Sequence, residues 1–202
     1  MADFAVFLDG AVADLLDGID TDERRRAAAM AINTVARDAR AEIARRVRAE
    51  VNLPASYVSP SSDRLSVVGK ADRGNLETEI RARTRPTSLA RFVSRGRIGK
   101  AGVGLKIKAS GGITNFDRAF LLPLPAGRSD TQRNMGLAIR LRRGERLRGS
   151  ISSKRIGNNL YLLYGPSVAQ VFEANSGKGV KRDIIPEIEQ QLEREFLRLL
   201  GV

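Results

Sequence analysis

A run of apolar residues at helical spacing between positions 22 and 50 constrains the fold of this chain more than any other feature. One face carries Ala28, Ile32, Val35, Ala39, Ile43, Val47 and Val51. The opposite face carries Arg26, Arg37, Arg40, Arg45 and Arg48. This period predicts a single amphipathic helix, about 42 Å long at 1.5 Å per residue. Asp20 and Glu23 predict a capping box at its start, and Glu42 can pair with Arg46 one turn later.

Beyond this helix the apolar residues alternate with polar ones, which is typical of half-buried strands. In residues 76–84 one face carries Leu76, Thr78, Ile80, Ala82 and Thr84. Similar segments are 103–108, 120–124, 135–142, 149–156 and 160–164, with 65–68 as a further short candidate. We therefore expect five or six strands, and an α+β fold in which a mostly antiparallel sheet is flanked by a long N-terminal helix and a C-terminal helix.

Both ends of the chain also show helical spacing. Near the N-terminus one stripe holds Phe4, Leu8, Val12, Leu15 and Ile19, which predicts a short helix over residues 3–19. At the other end, residues 186–200 predict a helix that begins at Pro186, a residue favoured at the first helical position. We expect three parts: an acidic helical arm over residues 1–20, an α+β domain over 21–175 and a C-terminal helix within 176–202.

The chain contains no histidine and no cysteine, which removes most transition-metal sites, thiol catalysis and imidazole acid–base chemistry. Gly99-Lys100 is followed by Ala101 rather than Ser or Thr, so the glycine-rich segment does not form a phosphate-binding loop. The remaining carboxylates are scattered among basic residues. We therefore expect no enzyme activity, no cofactor and no metal, and the absence of a long apolar run predicts no membrane partner.

Charge is distributed very unevenly along the chain. The first 23 residues hold seven acids and no base, namely Asp3, Asp9, Asp14, Asp17, Asp20, Asp22 and Glu23. The remainder holds all 35 bases against 16 acids, within a net charge of +12 for the whole chain. A body of this kind suits nucleic acid or acidic protein surfaces, and the acidic arm could dock on the basic body of an adjacent subunit.

Basic residues also follow the solvent side of the predicted strands. They are Arg81, Arg83, Arg85, Lys106, Lys108, Arg140, Arg142 and Arg143. If these strands share one sheet, they form a basic plate that could neutralise phosphates without reading sequence. The alternative is that they are solvated and pair with acids of a neighbouring subunit.

A run near the C-terminal helix resembles a known signature. Leu163, Tyr164, Gly165, Pro166 and Ser167, continuing to Phe172, resemble the C-terminal signature of the phage minor tail protein Z family, the tail completion proteins. The basic, alanine-rich helix, the segment Asn52–Val58 and the segment Arg83–Phe92 are similar to upstream parts of that family. The resemblance covers roughly residues 22 to 175.

This resemblance implies a structural protein of the virion, made in the host cytoplasm and located at the head-proximal end of a tail. It implies a homo-oligomeric ring, commonly hexameric, that meets tail terminator, tail tube or connector proteins and is needed for a tail that delivers DNA. DNA passing through the ring would be met without sequence specificity. Two alternatives remain open: a tail terminator or head–tail connector, and a non-specific nucleic-acid-binding protein.

Overall fold

The computed structural model describes residues 4–6, 21–97, 99–125, 134–147, 151–173 and 180–201. Its helices are α1 (Asp22–Glu50), α2 (Val168–Glu173) and α3 (Val180–Leu200). Its strands are β1 (Phe4–Val6), β2 (Leu65–Val68), β3 (Glu79–Ala82), β4 (Thr87–Ser88), β5 (Val93–Arg95), β6 (Val103–Leu105), β7 (Thr114–Phe116), β8 (Ala119–Pro123), β9 (Met135–Arg140), β10 (Ser152–Gly157) and β11 (Leu160–Gly165). These strands pair antiparallel, and the α+β prediction is confirmed.

The chain folds into two compact units, each built from separate segments of sequence. Unit 1 comprises Met1–Val47, Ala55–Thr84 and Val168–Val202. Unit 2 comprises Arg48–Pro54 and Arg85–Ser167. Unit 1 therefore contains the greater part of α1 together with both later helices, and unit 2 contains most of the strands.

Helix α1 forms where its spacing predicts, and every residue of the predicted apolar stripe is buried. Its cap differs from the prediction: the Thr21 hydroxyl accepts a hydrogen bond from the Arg24 N–H at 3.4 Å, so Thr21 stands just before the first turn. The prediction that Arg40 faces solvent is wrong. Arg40 is buried and donates through its guanidinium to the carbonyls of Val58 and Leu65, the latter at 3.1 Å.

Unit 1 contains a three-stranded sheet in the order β1-β3-β2. Ile80 and Ala82 of β3 are buried while their neighbours are half-buried, as the alternation predicts. The predicted helix over residues 3–19 is wrong at its start, because Phe4 lies opposite Ala82 in strand pairing. The rest of that predicted helix, from residue 7, lies outside the described residues.

The C-terminal helix is longer than predicted. It begins at Val180, so Pro186 lies inside it and not at its first position. The buried stripe of α3 runs through Val180, Ile184, Ile188, Leu192 and Phe196. On its other side, Glu187 accepts a 2.5 Å hydrogen bond from Arg46 of α1, and Gln191 donates to Asp38 of α1 at 2.9 Å.

Unit 2 is built around a five-stranded sheet in the order β10-β11-β9-β8, with β4 also paired to β11. A smaller sheet has the order β5-β6-β7. The outer side of β8 is covered by the preceding loop, since the N–H groups of Gly99 and Gly102 donate to the carbonyls of Leu121 and Ala119, each at 3.0 Å. Both glycines have a positive φ, which a residue with a side chain adopts only at a cost.

Candidate assembly site

The residues of the predicted signature form the last part of β11 and the turn that follows it. Leu163 and Ser167 are buried, while Tyr164, Gly165 and Pro166 are half-buried. Tyr164 pairs with Ser88 and Gly165 with Thr87 across the β4–β11 ladder. Two segments that are far apart in the sequence, both of them parts of the resemblance noted above, are therefore direct neighbours in unit 2.

A short 3-10 helix, Leu89–Phe92, locks this pairing from the other side. Ser88 caps it, because the Ser88 hydroxyl accepts from the Ala90 N–H at 3.3 Å and donates to the Met135 carbonyl at 3.4 Å. A Cβ added at Gly165 would lie 2.9 Å from a methyl carbon of Leu89. Only glycine allows β11 and the buried Leu89 to approach this closely.

The end of α1 is joined to the segment after β6 in the same unit. The Asn52 N–H donates to the Ile107 carbonyl at 2.8 Å, and its side-chain amide donates to the Lys106 carbonyl at 3.1 Å. The Ala109 N–H donates to the Glu50 carbonyl at 3.1 Å. Asn52, the first residue of the segment Asn52–Val58, therefore ties the end of α1 to the segment that follows β6.

The basic residues predicted to share a plate do not share a sheet. Arg81 lies on β3 of the first sheet, Lys106 directly follows β6 of the smallest sheet, and Arg140 ends β9 of the largest. The prediction of one basic plate is therefore wrong. Arg81 forms an ion pair with Glu79 at 3.0 Å, and Lys106 is half-buried. Exposed positions are held by Arg85, Lys108, Arg140, Arg142 and Arg143.

One end of unit 2 nevertheless concentrates positive charge. We call it the cationic edge and define it by six exposed residues: Arg140, Arg142, Arg143, Arg146, Lys154 and Arg155. Its acid is Glu145, which accepts from Arg118 at 3.0 Å and from the Arg142 N–H at 2.8 Å. The Arg118 guanidinium and then this N–H lower the pKa of Glu145 to about 2. The Glu145 carboxylate is thus already bound by groups of its own chain.

Sequence reasoning found half of this cluster. Arg140, Arg142 and Arg143 were predicted, while Arg146, Lys154 and Arg155 were not. They are brought together because β10 turns back beside β11, which pairs with β9 on its other side. The high density of basic residues between positions 140 and 155 was visible in the sequence. It indicates this cluster better than the strand alternation from which the basic plate was predicted.

The strand β10 itself is exposed along its whole length, at all six of its residues. It pairs on one side with β11, from Ser152 opposite Tyr164 to Gly157 opposite Leu160, with an irregularity between Arg155 and Gly157. No described strand pairs with its other side. The sheet therefore has one edge covered by the loop at Gly99 and Gly102 and one edge that is open.

The predicted inter-subunit arm falls mostly beyond the described residues. Phe4 is the first residue of β1 and pairs with β3 of its own chain. Leu8, Val12, Leu15 and Ile19 lie outside the described residues, so their role as an arm stays a prediction.

Within the described ranges no three acidic, histidine or cysteine residues are grouped as a metal site requires. None of the three described helices has the length and apolarity needed to cross a bilayer.

The chain matches one family of known proteins. The sequence model described as prophage minor tail protein Z (GPZ) matches residues 8–201. No curated protein and no solved structure matches the chain. The matched range takes in the strand pairing between β4 and β11 as well as all three helices.

Proposed function

The chain belongs to the prophage minor tail protein Z family, and from this membership we propose that it completes the head-proximal end of a bacteriophage tail as one subunit of a ring. The membership itself makes the chain a structural protein of a phage tail, and so a component of the virion. The position at the head-proximal end, the ring and a requirement for DNA delivery are the parts that we propose.

The observation that supports this proposal best is the pairing of the two recognised segments. Tyr164 and Gly165 lie beside Ser88 and Thr87, and the contacts around them are backbone pairing and close apolar packing. Residues of this kind hold a fold together, whereas an enzyme signature would bring acids, bases or nucleophiles to one place.

Two features favour a ring in particular. The largest sheet has one open edge among the described strands, that of β10, and pairing of this edge with a different segment of a second copy would join unlike surfaces of the two copies. Contacts between unlike surfaces generate closed rings when the rotation between copies closes. The acidic N-terminal segment and the basic remainder also have opposite charges, which supports attraction between copies. A homo-hexamer that meets terminator, tube or connector proteins fits these features.

Two measurements test the proposal. Native mass spectrometry of the purified chain should show a closed oligomer of fixed copy number, six in the expected case. Electron microscopy of intact particles carrying a labelled copy should place the label at the end of the tail nearest the head. A label found only at the distal tip, or along the whole tube, would reject the head-proximal position.

The cationic edge supports a second candidate, contact with DNA phosphates during passage through the ring. Six exposed cations, with the neighbouring Glu145 already bound to Arg118, suit binding to a phosphate backbone without sequence readout. If this is correct, replacing Arg140, Arg142 and Arg143 by Glu should leave particle assembly intact and reduce DNA delivery. Unchanged delivery would argue against it. Strong, salt-dependent DNA binding by the isolated monomer would instead favour a nucleic-acid-binding protein.

A further inference from the structure

The open edge of β10 offers unused backbone hydrogen-bonding groups. In an antiparallel pair every second residue directs its N–H and C=O away from its partner. Six exposed residues of β10 pair only with β11 among the described strands, so about half of their backbone groups point outward. An edge of this kind is a template for one more strand.

Charge decides which strand would fit there. Lys154 and Arg155 stand in the middle of β10, and both are exposed. Glu145 is held by Arg118 and by the Arg142 N–H. An acidic partner segment is therefore favoured, because opposite charges facing each other across paired strands are stabilising and like charges are unfavourable.

Other edges in the described part of the chain lack this combination. The edge of β8 is covered by Gly99 and Gly102. Strands β2 and β7 contain no base. Strand β5 is three residues long, and its Arg95 is bonded to Asn115 at 3.0 Å. Strand β10 is the one that is both long and cationic.

The chain itself contains a segment with the required composition. Residues 7–20 include Asp9, Asp14, Asp17 and Asp20 and no base. Fully extended, they amount to about 46 Å of chain. A strand of six residues takes about 20 Å of it, and the remaining length, about 26 Å, must lead out from one anchor and back to the other. Residues 7–20 are anchored at both ends, by β1 on one side and by the Thr21 cap of α1 on the other.

We propose that β10 of one copy accepts residues 7–20 of the next copy along its open edge. The backbone groups of β10 supply the hydrogen bonds, and Lys154 and Arg155 select an acidic segment. This inference rests on the ring proposed above and names the contact between its subunits.

The absence of native cysteine makes site-directed disulfide formation a clean test in the full chain. One preparation carries Asp14→Cys, and others carry Ser152→Cys or Ser153→Cys on β10. Mixing the first with either of the others and oxidising should give a covalent dimer. Thr114→Cys on the edge of β7 is the matched control and should give at least tenfold less.

Charge dependence is the second readout. Adding Lys154→Glu and Arg155→Glu to the β10 cysteine variants should reduce the yield of covalent dimer at least tenfold, whereas Lys108→Glu, an exposed cation elsewhere in unit 2, should change it less than twofold. Circular dichroism of each variant checks that it is folded. Equal yields from β7 and β10, or no effect of the charge reversal, would overturn the inference.

Two other occupants would be recognised in the same experiment. A cross-link formed within single chains of an Asp14→Cys/Ser153→Cys double variant, and not between mixed variants, would place the acidic segment on its own β10. Duplex DNA that blocks the cross-link at equimolar amounts would make DNA the occupant. Either result overturns the inference. Native mass spectrometry separates the two proposals, since a ring that persists without the β10 cross-link leaves the proposed function standing.

Discussion

Gly165 illustrates how close packing alone can require a glycine at one position. It pairs with Thr87, and the space where a Cβ would stand is taken by Leu89 and Phe92, at 2.9 and 3.3 Å. Both neighbours are almost fully buried, so neither side chain can move aside cheaply.

We predict that Gly165→Ala lowers the free energy of unfolding by about 1–3 kcal/mol, the usual range for an overpacked core. Gly157→Ala on the exposed β10 is the control, because the nearest atom to its added Cβ is 3.9 Å away; it should be close to neutral. Urea denaturation followed by circular dichroism measures both. Equal effects would show that crowding at Leu89 is not what requires glycine at 165.

Arg40 is the second residue whose role depends on its surroundings. It is buried in α1, burial lowers its pKa, and its guanidinium holds the carbonyls of Val58 and Leu65. We predict that Arg40→Met destabilises the protein by about 2 kcal/mol, because two buried carbonyls lose a charged donor. Arg37→Met, an exposed change in the same helix, should stay within about 0.5 kcal/mol of the native protein. Similar losses for both would contradict this role.

The sequence could have indicated the burial of Arg40. Ala36, Arg40 and Ala44 are spaced by four residues and form one row along α1, and all three are buried. The predicted stripe was one face wide, whereas alanines such as Ala36 and Ala44 allow a much broader face to be covered. The contact of Arg40 with Val58 and Leu65 depends on how the chain after α1 folds back onto the helix, and residue spacing alone does not reveal this.

At the scale of elements, the start of α3 was predicted at the wrong residue, Pro186 instead of Val180. Proline favours the first helical position, and this predicted a start at Pro186. The buried stripe continues back to Ile184 and Val180, so packing extends the helix for six residues before the proline. Both residues were visible in the sequence, at the same four-residue spacing as Ile188 and Leu192.

The exposed Pro186 gives a direct test. Inside a helix proline lacks an N–H and crowds the preceding turn, so Pro186→Ala should raise the stability by up to about 3 kcal/mol. Gln190→Ala, also exposed on α3, is the control and should change little. Thermal unfolding of the two variants is sufficient. Destabilisation by Pro186→Ala would mean that the helix begins at Pro186 after all.

The ion pairs of Glu42 within α1 carry a pH dependence. Hydrogen bonds from Arg45 and then Arg46 lower the pKa of Glu42 to about 2, and Arg46 also binds Glu187. A carboxylate with a lowered pKa stabilises the fold above its unfolded pKa, about 4.3, and loses this contribution as the pH falls towards 2.

Glu42→Gln should therefore be less stable than the native chain at pH 7, and the difference should shrink from about pH 4.5 downward and vanish near pH 2. Denaturation midpoints of the two proteins across this range provide the measurement. Glu193→Gln, on the exposed side of α3, should show no such convergence. A difference that stays constant with pH would exclude ionisation of Glu42 as its cause.

Strand prediction succeeded where alternation lasts long enough to be seen. The segments containing β3, β6, β8, β9, β10 and β11 were all expected, and so was β2. Strands β4, β5 and β7 contain only two or three residues, too few to show a period of two. Strand β4 exists because β11 pairs with it, which is a consequence of the tertiary fold.

On the scale of the whole molecule, the sequence of unit 1 is interrupted by residues of unit 2 and resumes at Val168. The Ala169 N–H donates to the Arg83 carbonyl at 3.2 Å, so the chain leaves unit 1 and returns to it at nearly the same point. Sequence reasoning placed residues 21–175 in one domain, because a contact between distant positions such as 83 and 169 leaves no periodic signal.

This closure predicts that unit 1 can form without the segment 85–167. A chain in which two glycines replace that segment should remain helical and unfold cooperatively by circular dichroism, since α1, α3 and the β1-β3-β2 sheet all stay in place. A matched deletion of 55–84, which removes β2 and β3, should abolish cooperative unfolding. A molten product from the first deletion would show that unit 1 depends on unit 2.

The loop at Gly99 and Gly102 has a consequence for the way in which copies of the chain can join, as well as for folding. A sheet with two exposed edge strands can pair with further copies at both edges without limit, which is how fibres begin. Here one edge is covered by the chain's own loop, and the edge at β10 is the one left for pairing among the described strands. Copies therefore cannot join into one continuous sheet through both of its edges.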